Sequence, residues 1–177
     1  MPRMTFPSVF WSMAFILLIL TYIISGCEKT SNVSETKPTA TLIKYSDCKN
    51  NAGILSDTVL NNQDCIEYNY NNKERILKLK HINAGFNCCP GNITADISIN
   101  NDAIILNEKE QNAGCHCNCL FDIEYEIKNF SSMIFKIVVV EPYRPVNEDV
   151  LEFNVDLNIQ PKGKFCVERN NYPWNMN

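Results

Sequence analysis

Apolar and polar positions alternate with a period of two through much of this chain, the pattern of a strand with one buried face. It is clearest over 115–127, where Cys115, Cys117, Cys119, Phe121, Ile123, Tyr125 and Ile127 alternate with His116, Asn118, Leu120, Asp122, Glu124 and Glu126. Leu120 is the one break in the polar set. A second strand spans 151–159, with Leu151, Phe153, Val155, Leu157 and Ile159 facing inward. Ile93, Ala95, Ile97 and Ile99 mark a third, and a turn at 100–102 leads it into 103–107 as a hairpin. Segments 65–70 and 75–83 form a second hairpin turning at Asn71-Asn72. The run 134–140 is more continuously apolar and predicts a central strand covered on both faces. Only 52–60 offers a short helical turn. Asn-Asn pairs at 50–51, 61–62, 71–72, 100–101 and 170–171 punctuate these runs, because Asn tolerates left-handed backbone and bonds its own main chain.

So many strands need two sheets to bury their inner faces. The expectation is an all-β fold, a single β-sandwich domain over 42–177. The stretch DIEYEIKNFSSMIFKIVVV (122–140) resembles the strand-turn-strand near the end of immunoglobulin-like and fibronectin-like domains. The resemblance implies an immunoglobulin-like β-sandwich.

The first 41 residues read differently. Arg3 precedes a mostly apolar stretch over 9–24, the layout of a secretion signal. Ile24-Ser25-Gly26-Cys27 follows and resembles the lipobox of bacterial lipoproteins. That resemblance implies a signal peptide over 1–26, cleavage before Cys27, and acylation of the Cys27 thiol by palmitate or a similar chain. The membrane, reached through Cys27, is then the first partner, and the location is the bacterial cell envelope, with the choice of inner or outer membrane open. Residues 28–41 (EKTSNVSETKPTAT) are polar and aperiodic and predict a flexible tether. A coil of about 14 residues reaches roughly 20 Å. With 16 Lys+Arg, 20 Asp+Glu and a net charge of −4, the chain carries no basic stripe, which argues against nucleic acid as a partner.

An exported chain uses cysteine for disulfides, and this one has nine cysteines. With Cys27 assigned to lipid, Cys48, Cys65, Cys88, Cys89, Cys115, Cys117, Cys119 and Cys166 remain as disulfide candidates. On a regular strand Cys115, Cys117 and Cys119 have Cα atoms about 6.8 Å apart, at the edge of disulfide reach. They should therefore pair elsewhere, with Cys88, Cys89 and Cys166, leaving Cys48 to join Cys65. The alternative is a metal site in which Cys88, Cys89, Cys115, Cys117 and Cys119 supply thiolates for Zn or Cu, with His81 or His116 adding an imidazole. Otherwise no cofactor is implied.

His81 lies in phase with Leu77 and Leu79 and reads as a satisfied, partly buried histidine; His116 reads as solvent-facing. Asp122, Glu124 and Glu126 read as a solvated strand face rather than an acid–base or calcium site. No nucleophile elbow, phosphate loop or zinc-protease helix motif is present, so no enzyme is expected. Asp57-Thr58-Val59 resembles a short bacterial O-glycosylation sequon at Thr58. The end of the chain, with Tyr172, Pro173 and Trp174, is expected to pack on the sandwich rather than stand out as an aromatic patch.

Taken together, HINAGFNCCPG (81–91), GCHCNCLFDIEY (114–125) and FCVERNNYPW (165–174) resemble a family of small bacterial envelope lipoproteins without an assigned activity. The function expected from all this is a membrane-anchored, disulfide-stapled binding or structural module. Its further partner is a protein or a small molecule.

Overall fold

The structure, a computed structural model, describes residues 36–49, 59–100 and 102–174. The signal, Cys27, the tether up to residue 35, the Asp57-Thr58 sequon and most of the candidate helical turn lie outside the described residues. The rest carries nine strands: β1 Thr39–Tyr45, β2 Gln63–Asn71, β3 Ile76–Asn87, β4 Asn92–Ile99, β5 Ala103–Gln111, β6 Asn118–Lys128, β7 Ile134–Val140, β8 Glu152–Asp156 and β9 Lys162–Glu168. The fold is an all-β sandwich, as the alternation predicts. One sheet has the order β1-β6-β3-β2-β9 and the other β4-β5-β7-β8.

Both predicted hairpins form. Between β2 and β3, the side-chain oxygen of Asn71 accepts the main-chain N–H groups of Lys73 and Glu74, and Arg75 takes a left-handed φ of 54°. Between β4 and β5, the Asn100 N–H bonds the Ala103 carbonyl at 2.8 Å. The inner faces follow the expected phase: Leu77 and Leu79 on β3, Phe121, Ile123, Tyr125 and Ile127 on β6, and Ile104 and Leu106 on β5 are all buried. Phe130 and Phe135 meet edge to face at 4.9 Å where the chain crosses from β6 in one sheet to β7 in the other.

Several boundaries differ from expectation. β1 begins at Thr39, inside the segment 28–41 that composition marks as tether. Thr39, Ala40 and Thr41 pair with Lys128, Ile127 and Glu126, so a neighbouring edge supplies hydrogen bonds that a polar sequence does not advertise. β6 begins at Asn118, so Cys115 and Cys117 sit in the preceding loop rather than on the strand. β7 is central in its sheet but covered on one face only: Phe135, Ile137 and Val139 are buried, while Ile134 is 64 % and Val140 45 % exposed. β8 stops at Asp156, whose carboxylate accepts the Asn158 N–H and turns the chain, leaving Ile159 exposed.

All eight cysteines from Cys48 onward are bridged, as Cys48–Cys119, Cys65–Cys166, Cys88–Cys117 and Cys89–Cys115. Cys115 and Cys117 do pair with Cys89 and Cys88. Cys48 does not join Cys65, and Cys166 does not join the 115–119 set. Register decides this: Cys65 lies directly opposite Cys166 in the β2–β9 ladder, with Cα atoms 4.0 Å apart. Lys49 bridges Leu120 through the main chain, which sets Cys48 beside Cys119. A bridged sulfur offers no thiolate, so in this structure none of Cys88, Cys89, Cys115, Cys117 and Cys119 is free to hold Zn or Cu.

Candidate functional site

Two features stand out once the strands are placed, one inside the sandwich and one on its surface. The inner one centres on His81, which is fully buried. Alternation along β3 turns it inward with Leu77 and Leu79. The same rule turns Asp64 inward with Ile66 and Tyr68 on β2, Glu108 with Ile104 and Leu106 on β5, and Tyr125 with Ile123 on β6. The imidazole is held on both sides: Nδ1 lies 2.7 Å from Glu108 Oε1 and Nε2 2.6 Å from Asp64 Oδ1. Tyr125 donates its hydroxyl to Glu108 Oε1 at 2.6 Å. Just past β9, Arg169 donates from Nε and Nη2 to Asp64 Oδ2, and from Nη2 to Glu141 Oε2 at 2.6 Å. Its guanidinium lies 5.4 Å from the centre of the Trp174 ring, and the Trp174 indole N–H bonds the Asn83 carbonyl.

Burial would lower the His81 pKa, but the carboxylates of Glu108 and Asp64 overcome it and hold the imidazole well above its ordinary value of 6.5, as an imidazolium. Burial would raise Asp64, but His81 and Arg169 bring it below 3.8. Burial and the Asp64 charge push Glu141 well above 4.5, against the pull of His81 and Arg169. Burial and Glu108 raise Tyr125, which stays a phenol. The result is two cations, Arg169 and His81, set among the acidic side chains of Asp64, Glu108, Glu141 and Glu148, the last with Oε2 3.8 Å from Arg169 Nη1.

Ligand atoms of Asp64, His81 and Glu141 lie within 4.8 Å of one another, a spacing that could hold a metal ion. The donor set does not fit one. Both imidazole nitrogens are taken up by carboxylates, and Arg169 already donates to both Asp64 and Glu141. A cation would have to strip the imidazolium proton and sit against a guanidinium. With Asp64, His81 and Arg169 fully buried, the cluster cannot touch a substrate either. It is an internal ion-pair network that ties β2, β3 and β6 of one sheet to β5 and the end of β7 in the other.

The surface feature is a trough of about 640 Å³ on the outer face of the five-stranded sheet. Its floor is the main chain at Tyr68, Leu79, Tyr125 and Gly163, whose neighbours in sequence turn outward as two walls. One wall runs across all five strands as Lys44, Glu124, Lys80, Glu67 and Lys164, alternating in charge. Lys44 pairs with Glu124 at 3.2 Å, Lys164 with Glu67 at 3.5 Å, and Lys80 reaches Asp122 at 3.1 Å. The other wall runs Glu126, Lys78, Asn69 and Lys162. Glu126 pairs with Lys128 at 3.4 Å. Among the described residues, no carboxylate pairs with Lys78 or Lys162, and the Asn69 side-chain amide between them carries no hydrogen bond.

The residues singled out by sequence fall as follows. Glu124 and Glu126 lie on the outer face as expected. Asp122 is half-buried instead, clamped by Lys49 and Lys80; burial would raise its pKa, but bonds and charge from both lysines bring it below 3.8. His116 is exposed in the loop before β6. Trp174 packs inside, while Tyr172 is 47 % exposed and bonds main-chain atoms of Asn118 through its hydroxyl. Sequence reasoning found His81 but missed its partners. The phase of Asp64 and Glu108 with their apolar neighbours was the available signal; Glu141 and Arg169 lie beyond strand ends, where no period marks them.

Comparison with protein-family models, with curated proteins and with solved structures finds no match to this chain.

Proposed function

We propose that this chain is a bacterial envelope lipoprotein: anchored to a membrane through an acylated Cys27, its disulfide-stapled sandwich serves as a non-enzymatic binding module. The observation that carries the reading is the cysteine pattern. The chain has nine cysteines, and the eight from Cys48 onward are consumed in four bridges within one domain. Cys27 is the cysteine outside those four pairs, and it stands where Ile24-Ser25-Gly26-Cys27 resembles a lipobox. Disulfides at this density belong to an oxidising compartment, in keeping with export. The resemblance to small envelope lipoproteins points the same way. A single acyl chain binds a membrane weakly and reversibly, so stable anchoring calls for more than one on the new N-terminal residue.

The test is metabolic labelling with alkyne-palmitate in a bacterial host expressing the full chain. The expected result is label on the wild-type protein and none on Cys27→Ala. An unlabelled wild-type chain, or label that survives the substitution, rejects the anchor. The binding half of the reading rests on the trough, a concavity of about 640 Å³ whose lining includes Lys78 and Lys162.

A further inference from the structure

The lipid anchor and the internal ion-pair network leave the outer-face trough without a role. From its walls we infer that it is a binding site for a linear acidic oligosaccharide. The proposal deepens the binding-module reading and does not depend on acylation.

The length of the trough is set by the sheet. Five strands spaced about 4.8 Å apart give a path of roughly 19 Å across them, with walls about 6.8 Å apart along each strand. Those dimensions suit an extended chain one ring wide. The chemistry of the walls narrows the occupant. Lys78 and Lys162 flank Asn69 on neighbouring strands, so two ammonium groups and an amide line one end of the trough; Glu126 stands opposite Lys78 in the ladder, with its carboxylate paired to Lys128 at 3.4 Å. The two ammonium groups call for an anion, and an uncharged ligand would leave them idle. On the opposite wall Glu67 and Glu124 are each paired through Oε1, with Lys164 and Lys44, which leaves the other carboxylate oxygen of each to accept from a hydroxyl. A ligand that carries carboxylates on one side and hydroxyls along its length satisfies both walls. The aromatic rings of Tyr68 and Tyr125 turn into the core, and Ile43 is the large apolar side chain exposed at the trough. An acidic peptide would satisfy the lysines too and could offer main-chain N–H groups to the glutamates, so hexaglutamate is the probe that separates the two occupants.

The experiment is calorimetric titration of the full chain, purified from whole-cell lysate in an uncharged detergent, with hexagalacturonate. Maltohexaose, hexaglutamate and inorganic phosphate serve as comparison probes. Saturable binding of hexagalacturonate is expected, weakened about tenfold or more in Lys78→Gln/Lys162→Gln. It should be unchanged in Lys136→Gln, which removes an exposed lysine from the outer face of the other sheet. Maltohexaose should not compete. No binding of hexagalacturonate overturns the proposal, as does equal loss in Lys136→Gln, which would mark attraction to charge alone. Equally tight binding of hexaglutamate would assign a peptide instead, and full displacement by equimolar phosphate would assign a small anion. Binding is read whether or not Cys27 carries lipid, so failure here and failure of the anchor are separate results.

Discussion

His81 shows how a single side chain can hold two sheets together. Buried among apolar neighbours, a neutral imidazole would need only hydrogen bonds; placed between Asp64 and Glu108, it becomes the counter-ion for both. Removing it leaves two carboxylates inside the sandwich with Arg169 as their remaining cation. We therefore expect His81→Gln to destabilise the domain by about 3–5 kcal/mol, measured by urea unfolding with the disulfides intact. Tyr125→Phe, which removes one donor to Glu108 and keeps the ring, should cost less, about 1–3 kcal/mol. Equal losses for the two would deny His81 its charge role. The sequence placed His81 on the inner face by its phase with Leu77 and Leu79, but phase does not say what stands opposite.

At the scale of elements, β3 carries most of the specific fitting. Asn83 takes a left-handed φ of 66° at a bulge between β3 and β6, and beyond it Gly85 lets the Trp174 ring lie against the strand. A Cβ on Gly85 would stand 2.7 Å from two carbons of that ring. Gly85→Ala should therefore displace the C-terminal segment and cost about 1–3 kcal/mol, seen as a lower unfolding midpoint and altered tryptophan emission. The bridges Cys88–Cys117 and Cys89–Cys115 staple the end of β3 to the approach to β6 twice over. With one in place, the other closes almost no additional chain. Cys89→Ser/Cys115→Ser should thus lose much less stability than Cys65→Ser/Cys166→Ser, whose cysteines are 101 residues apart in sequence. The opposite ranking in urea titrations would sink that argument.

For the whole molecule, the buried network makes stability depend on pH in a definite direction. His81 and Glu141 are raised above their ordinary values of 6.5 and 4.5. The folded state therefore holds protons that the unfolded chain has released, and their contribution, complete below those values, is lost as pH rises through the folded pKa values. Asp64 and Asp122 are lowered, so their contribution is complete above 3.8 and is lost as pH falls below it. The stability maximum should lie on the mildly acid side of neutral. The urea midpoint is expected to be higher at about pH 5.5 than at about pH 8.5. A midpoint that climbs across that interval would mean that His81 is neutral in the folded protein.

The sequence by itself determined most of the strands, β1 and β9 excepted, and most of their inner faces, because a period of two follows from the geometry of one strand and needs no partner. It placed both hairpins, since Asn-rich turns act through their own main chain, and it counted the cysteines that the domain would bridge. Only the tertiary structure decided the rest. Which cysteine meets which depended on the β2–β9 register and on the bridge at Lys49, contacts between segments far apart in sequence. The polar start of β1 became a strand because β6 offered an open edge. The partners of His81 came from β2, β5 and the ends of β7 and β9. The trough arose because rows of charge scattered over five strands were laid side by side, a juxtaposition that local pattern does not encode.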